Sequence, residues 1–141
     1  MKTILMKSLK HIFDTNDTII ETTLPKLDIE YYHTSIEIYQ LSSQHTIKLY
    51  IDKNLAIHLN QTLVEEEKPT EEMNIDICKE FTNLLIGHAK VLAEQSEKSS
   101  FSIDIPKFLN KTIYFENFGT FLACKINDKY YLIVEYKNIY E

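Results

Sequence analysis

The sequence contains no arginine: all 15 basic residues are lysines, and 21 acidic residues outnumber them, for a formal net charge of −6. A chain with this charge is repelled by nucleic acids and by anionic membrane surfaces. Without guanidinium groups, the protein also lacks the planar fork that best recognises phosphates and carboxylates through paired hydrogen bonds. The composition therefore predicts neither a nucleic-acid partner nor a membrane partner.

Glycine and cysteine are also scarce, with two residues each. A Walker loop or a G-x-G-x-x-G turn needs two or three glycines close together, and Gly87 and Gly119 stand far apart, which excludes both nucleotide signatures. Cys78 and Cys124 have no metal-ligand spacing and no secretory context, so we expect reduced thiols in a cytoplasmic protein. The histidines are scattered and form no HExxH or HxH pattern, so we expect no metal or cofactor of the protein's own.

Long apolar runs are missing as well. Three lysines interrupt the apolar residues of the stretch 1–14, which therefore lacks the unbroken hydrophobic region of a signal peptide. No run approaches the roughly 18 apolar residues that a membrane span requires. We expect no targeting signal and no transmembrane segment.

The length of 141 residues predicts one domain, which we place at residues 1–141. Helical periodicity predicts helices over residues 3–14, 54–64 and 70–96. Alternating, β-branched and aromatic stretches predict strands over 18–24, 35–40, 46–51, 101–105, 112–118, 120–127 and 130–136. Turns are expected at 42–44, at Gly119 and at Asn127-Asp128, and the acidic stretch 65–70 reads as a solvated connector. The fold class is α+β, with an extended antiparallel sheet.

The long helix carries two different faces. On a projection of about 100° per residue, one arc is expected to face the core: Ile77, Phe81, Leu84, Leu85, Val91 and Leu92. The opposite arc is a stripe: Asp76, Glu80, Asn83, Gly87, Lys90 and Glu94. Such a stripe is typical of any solvated helix face, yet Asn83 is a poor helix former, and Gly87 costs about 1 kcal/mol relative to Ala. Gly87 also leaves a notch in which the backbone of another protein could come close.

The spacing Asp76-x3-Glu80-x2-Asn83, followed after 22 residues by Pro106, resembles the signature of the CheC/CheX/FliY chemotaxis phosphatases. Residues 80–90, EFTNLLIGHAK, are similar to the E-x-x-N-x-x-x-G-N-A-K stretch of that family. Residues 101–106 resemble the strand and proline that follow it, so the resemblance covers roughly residues 30–115. Because the CheC and FliY branches carry two copies of the motif and this chain carries one, it is most similar to CheX.

The resemblance implies a protein aspartyl-phosphate phosphatase that acts on a phosphorylated CheY-like receiver in chemotaxis signalling. It gives Asn83 the task of orienting the attacking water, and Glu80 a salt bridge to the active-site lysine of the receiver. We expect Asp76 to support this pair and Pro106 to shape the end of its strand. Magnesium would belong to the receiver.

The other members of the stripe and the assembly follow from the same resemblance. Gly87 and Lys90 are candidates for contact with the receiver, together with Asp76 and Glu80. The similarity to CheX implies a homodimer paired through sheet residues, in the β-rich region 112–136.

One departure from the family pattern and two alternatives bear on this hypothesis. His88 replaces the usual Asn after the glycine, and its angular position is that of a core histidine rather than a catalytic one. A non-catalytic CheX-like module would capture receivers or flagellar motor components without needing the amide of Asn83. An unrelated α+β scaffold would use neither Glu80 nor Asn83.

Overall fold

The computed structural model describes residues 1–23, 25–96, 100–114 and 120–136, and its elements follow the predicted order. The helices are α1 (Lys2–Ile12), α2 (Lys53–Leu59) and α3 (Glu71–Ser96), with a π-helical turn, Asn60–Val64, after α2. The strands are β1 (Ile19–Thr22), β2 (Glu30–Gln40), β3 (Ser43–Asp52), β4 (Ser102–Ile103), β5 (Lys107–Ile113), β6 (Thr120–Ile126) and β7 (Tyr130–Tyr136). Leu24, residues 115–118 and Gly119, which belong to two predicted strands and a predicted turn, lie outside the described residues.

All seven strands join one antiparallel sheet, as the sequence predicts. The order runs β1-β6-β7-β3-β2, and β4 and β5 then pair with successive parts of β2. One edge is therefore β1, and the other is formed by β4 followed by β5. Of the region 112–136 expected to pair two copies, β6 and β7 already have neighbours on both sides. Within the described part of that region, Thr112 and Ile113 lie at the edge formed by β5, and residues 120–122 of β6 extend beyond the residues that β1 pairs.

The three helices cover one face of the sheet. Alternate residues of the central strands point to this face, because successive strand side chains project to opposite sides. The main core joins them to buried residues of the helices, including Leu5, Leu9, Leu55, Phe81 and Leu85. The opposite face carries a smaller cluster around Tyr31 and Tyr114. None of the described helices is both long enough and apolar enough to cross a membrane.

The rotation of α3 about its axis differs from the expected one. Leu84 and Val91 were predicted to face the core, but they are 41% and 43% exposed. The buried side instead includes the small residues Cys78, Thr82 and Ala89. Small side chains let the helix backbone approach the sheet closely, and a count of large apolar residues does not detect that contact. The helix is turned by about one residue, and its predicted polar stripe still faces outward.

One turn and one helix end also differ from the prediction, whereas a second turn agrees with it. The β2–β3 hairpin pairs Gln40 with Ser43, so its turn lies at residues 41–42, and Leu41 there adopts a φ of 55°. The helix predicted over 54–64 ends at Leu59 and continues as the π-helical turn. That wider turn changes the phase of the helix, so Leu63 is exposed. At the predicted turn Asn127-Asp128, both residues have positive φ values of 55° and 57°.

Candidate functional site

The motif helix α3 begins at the residue that the sequence indicated. The hydroxyl oxygen of Thr70 accepts a hydrogen bond from the backbone N–H of Met73 at 3.2 Å, which satisfies one free donor of the first turn. Glu71 and Glu72 follow it, where negative charge is favourable near the helix N-terminus. The helix is thereby a fixed support for the side chains that project from its outer face.

Asp76, Glu80 and Asn83 are all exposed on this outer face. They border an open groove of about 380 Å³ between α3 and the segment that joins β4 to β5. Among the described residues, six line it: Asp76, Lys79, Glu80, Asn83, Ile105 and Pro106. The fold thus brings all four motif positions, which span 31 residues of sequence, to one concave surface.

The second wall of the groove is a β-bulge. Ile103 pairs with Ile38, and Lys107 pairs with Ser35, so three residues of the edge strand, 104–106, lie opposite two residues of β2. Pro106 has no N–H to donate, and bulges in edge strands are where proline is tolerated. Pro106 lies between β4 and β5, and this position makes it part of the groove wall.

One carboxylate in the groove, that of Glu80, has no partner among the described residues. Lys79 Nζ lies 3.6 Å from Asp76 Oδ1, an exposed pair whose opposite charges offset each other. Glu80 has no salt bridge or hydrogen bond from its side chain within the described residues, and neither has Asn83. The groove therefore presents one free carboxylate and one free amide. They lie one helical turn apart, where side chains are neighbours on the helix surface.

Gly87 and Lys90, predicted to contact a partner, do not line this groove. Gly87 lies beside β4: a Cβ atom added to it would stand 4.0 Å from Ile103 Cδ1. Lys90 Nζ is 2.7 Å from Glu94 Oε1, an ion pair along the helix surface. Both residues remain on the outer side of α3, next to the groove rather than within it.

His88 lies away from the groove, between α1 and α3. Its ring stacks on that of His11, with centroids 3.8 Å apart and planes inclined by 9°. The ring is half-buried rather than fully in the core, and burial, followed by the neighbouring His11, lowers the pKa of His88. This position gives His88 a packing role between two helices.

Lys79 and Ile105 line the groove but are not among the site residues predicted from the sequence. Lys79 lies three residues after Asp76 and four before Asn83, a spacing that places it on the same flank of a helix. Ile105 precedes Pro106, and residues before proline are held in extended conformations. The helical spacing was a usable signal for Lys79, whereas the exposure of Ile105 depends on the bulge.

Comparisons with known proteins agree with this fold. The family model described as chemotaxis phosphatase CheX matches residues 36–116, which is more than half of the chain and includes all four motif positions. No curated protein matches the chain significantly.

Solved structures with the same fold cover nearly the whole chain. Chemotaxis protein CheX from Vibrio vulnificus is 19% identical with a TM-score of 0.67, over 95% of this chain and 97% of that one. A CheC-like superfamily protein from Shewanella sp. PV-4 is 16% identical with a TM-score of 0.68, over 96% of each chain. The CheX-CheY-BeF3-Mg complex from Borrelia burgdorferi contains a chain 18% identical with a TM-score of 0.66, over 96% and 94%. With its sequence matching over residues 36–116 and its fold over nearly its full length, the chain belongs to the CheX family of chemotaxis phosphatases.

Proposed function

We propose that this protein hydrolyses the aspartyl phosphate of a CheY-like receiver and so ends a chemotaxis signal. The observation that carries the proposal is the pairing of Glu80 and Asn83, both exposed and without internal side-chain partners, in one groove of a CheX-family chain. A carboxylate and an amide left free in this way are available to a docked protein. The CheX-CheY complex from Borrelia burgdorferi supports a receiver as that protein.

The chemistry requires little of this chain beyond positioning. An aspartyl phosphate is a reactive acyl phosphate, and a water molecule in line with phosphorus is what its hydrolysis needs. Holding that water in place removes much of the barrier to phosphoryl transfer. The amide of Asn83 suits the task, because its carbonyl oxygen accepts a hydrogen bond from the water while its NH2 group donates elsewhere. Asn83 is therefore assigned the orientation of the attacking water.

Glu80 is assigned the alignment of the complex through a salt bridge to the active-site lysine of the receiver. Its carboxylate is the groove charge that Lys79 does not offset, so it attracts a cation from the partner. Asp76 supports Glu80 because it forms an ion pair with Lys79, and this pair keeps Lys79 from neutralising the Glu80 carboxylate. Gly87 and Lys90, beside the groove, extend the contact with the receiver along α3.

Magnesium in this scheme belongs to the receiver, and this chain supplies no cofactor. The reaction takes place in the cytoplasm, where receivers act. We further propose a homodimer paired through the region 112–136, with the edge of β5 at Thr112 and Ile113 as one candidate for the contact.

Phosphate release tests the proposal. Receivers encoded in the same genome are phosphorylated with acetyl phosphate, and hydrolysis is followed with the wild type, Asn83→Ala and Gln95→Ala. Gln95 is the matched control because it is an exposed amide of α3 outside the groove. We expect at least one receiver to be dephosphorylated, with Asn83→Ala slower by about a hundredfold or more and Gln95→Ala unchanged.

Two results would contradict the proposal in different ways. If Asn83→Ala keeps wild-type turnover, the amide does not orient the water and the mechanism is wrong. If a receiver binds through Glu80 but is not dephosphorylated by the wild type, the protein is a non-catalytic receiver-binding module.

A further inference from the structure

The groove contains an apolar side chain that the phosphatase chemistry does not use. Ile105 is 76% exposed, although it lies beside Pro106 in the wall that faces Asn83 and Glu80. Exposed apolar residues scattered over a surface are ordinary. What distinguishes Ile105 is its place among the charged and amide side chains of a candidate active site.

The backbone holds Ile105 in this position. On one side, the N–H of Asp104 donates to the carbonyl oxygen of Glu37 at 3.0 Å. The N–H of Ile105 itself donates to Asp104 Oδ1 at 2.7 Å. On the other side, Pro106 restricts the backbone of Ile105, and Lys107 returns to its register with Ser35. The bulge therefore fixes where the side chain emerges, and little backbone freedom remains to be lost when a partner covers it.

An apolar side chain at this place excludes water from the contacts that Asn83 and Glu80 make with a receiver. Asn83 and Glu80 lie in an open groove, so their contacts with a receiver compete with bulk water until the groove is covered. Contacts at the centre of an interface gain strength when apolar neighbours exclude bulk water from around them. Leu84, the residue after Asn83 on α3, is 41% exposed and adds apolar surface next to the same pair.

We propose that Ile105 is a specificity-determining contact of this phosphatase, which inserts into an apolar depression on the receiver beside the phosphorylated aspartate. The inference rests on the proposed function, since it names the surface that the receiver must offer to the same groove. Continuity with Glu80 and Asn83 is the reason for choosing the receiver as occupant. A second copy of this chain is the competing occupant, because Ile105 lies at a sheet edge.

Initial rates of dephosphorylation over a range of receiver concentrations test this inference. The variants are Ile105→Ser, which removes the apolar contact, Ile105→Val, which keeps most of it, and Ile20→Ser as the control. Ile20 is an isoleucine of comparable setting, 53% exposed on β1 at the opposite sheet edge. We expect Ile105→Ser to raise KM about tenfold, the scale for one buried aliphatic side chain. Its kcat should stay within about twofold, and Ile105→Val and Ile20→Ser should resemble the wild type.

Binding and mass measurements separate the remaining outcomes. The Kd for a receiver loaded with beryllofluoride and magnesium should rise in parallel with KM, while thermal unfolding and sedimentation of Ile105→Ser stay unchanged. An unchanged KM with an active wild type overturns this inference and leaves the phosphatase proposal standing. A change of sedimentation without a change of KM also overturns it, in favour of the second copy. A wild type that neither binds nor dephosphorylates any receiver overturns the proposed function and this inference together.

Discussion

Thr34 Oγ1 and Thr82 Oγ1 lie 2.7 Å apart in the buried contact between β2 and α3. Thr82 donates its hydroxyl hydrogen to the carbonyl oxygen of Cys78 at 2.8 Å, so Thr34 is the donor between the two threonines. This contact directs Thr82 toward the sheet. Successive residues on a helix point about 100° apart. With Thr82 directed toward the sheet, the next residue, Asn83, therefore points toward solvent. One buried hydrogen bond thus ties the orientation of the candidate catalytic amide to the sheet.

The substitution Thr82→Val should destabilise the protein by about 1–3 kcal/mol, because the buried hydroxyl of Thr34 then has no acceptor. In the double variant Thr34→Val/Thr82→Val no hydroxyl is left unpaired, so the loss should be smaller than the sum of the two single losses. Urea unfolding of the wild type, both single variants and the double variant gives this coupling directly. Strict additivity of the two losses would show that the hydroxyls are not coupled.

Glu80→Ala should weaken receiver binding by about 1–3 kcal/mol, the scale of a charge-assisted contact that becomes desolvated at an interface. The effect should be larger at low ionic strength, because salt screens the approach of two charges. Calorimetric titration with a beryllofluoride-loaded receiver at two salt concentrations measures both. Glu72→Ala is the control, since it removes the same charge from α3 outside the groove. Equal losses in the two variants would indicate a general effect of net charge.

Sequence patterns predicted the order of elements. Helical spacing alone places Asp76, Glu80 and Asn83 on one side of α3, and cap chemistry placed the start of that helix at Thr70. The meeting of these residues with Pro106 was not predicted from the sequence. It depends on how β4 and β5 pair with β2, which local periodicity does not contain.

Each error arises from packing or strand pairing between distant parts of the chain, which local sequence patterns do not contain. Leu84 and Val91 were assigned to the core because large apolar residues dominate a helical projection, whereas Thr82 and Ala89 pack closely against the sheet because they are small. The hairpin turn fell at Leu41 rather than at a serine, since strand pairing outweighed the preference of leucine against a positive φ. Ile105 was overlooked for a similar reason, as its exposure arises from a bulge set by long-range strand register.

Gly87→Ala should stabilise the protein by about 0.5–1 kcal/mol, because Ala is the better residue in a helix interior. The new methyl group would stand 4.0 Å from Ile103 Cδ1, an ordinary contact that needs no rearrangement. Chemical denaturation measures the gain. If the backbone of the receiver approaches α3 at Gly87, the same variant should bind the receiver more weakly despite its higher stability. Unchanged binding would remove Gly87 from the partner surface, and a loss of stability would contradict the helix-interior account.

Stability should fall as the pH decreases from 7 to 5, and His88 should be one cause. Burial and the stacked ring of His11 lower the pKa of His88 in the folded protein, below the value of about 6.5 expected in the unfolded chain. As the pH falls, the unfolded state therefore binds a proton at His88 before the folded state does. The contribution of His88 to stability is fully present above pH 6.5 and is lost as the pH falls toward its folded-state pKa. His88→Asn, which is never charged, should reduce the slope in urea unfolding midpoints measured at pH 8, 7, 6 and 5. Some slope should remain in the variant, because burial also lowers the pKa of His33. Identical pH profiles for the wild type and His88→Asn would show that the stacked pair does not take part in the acid transition.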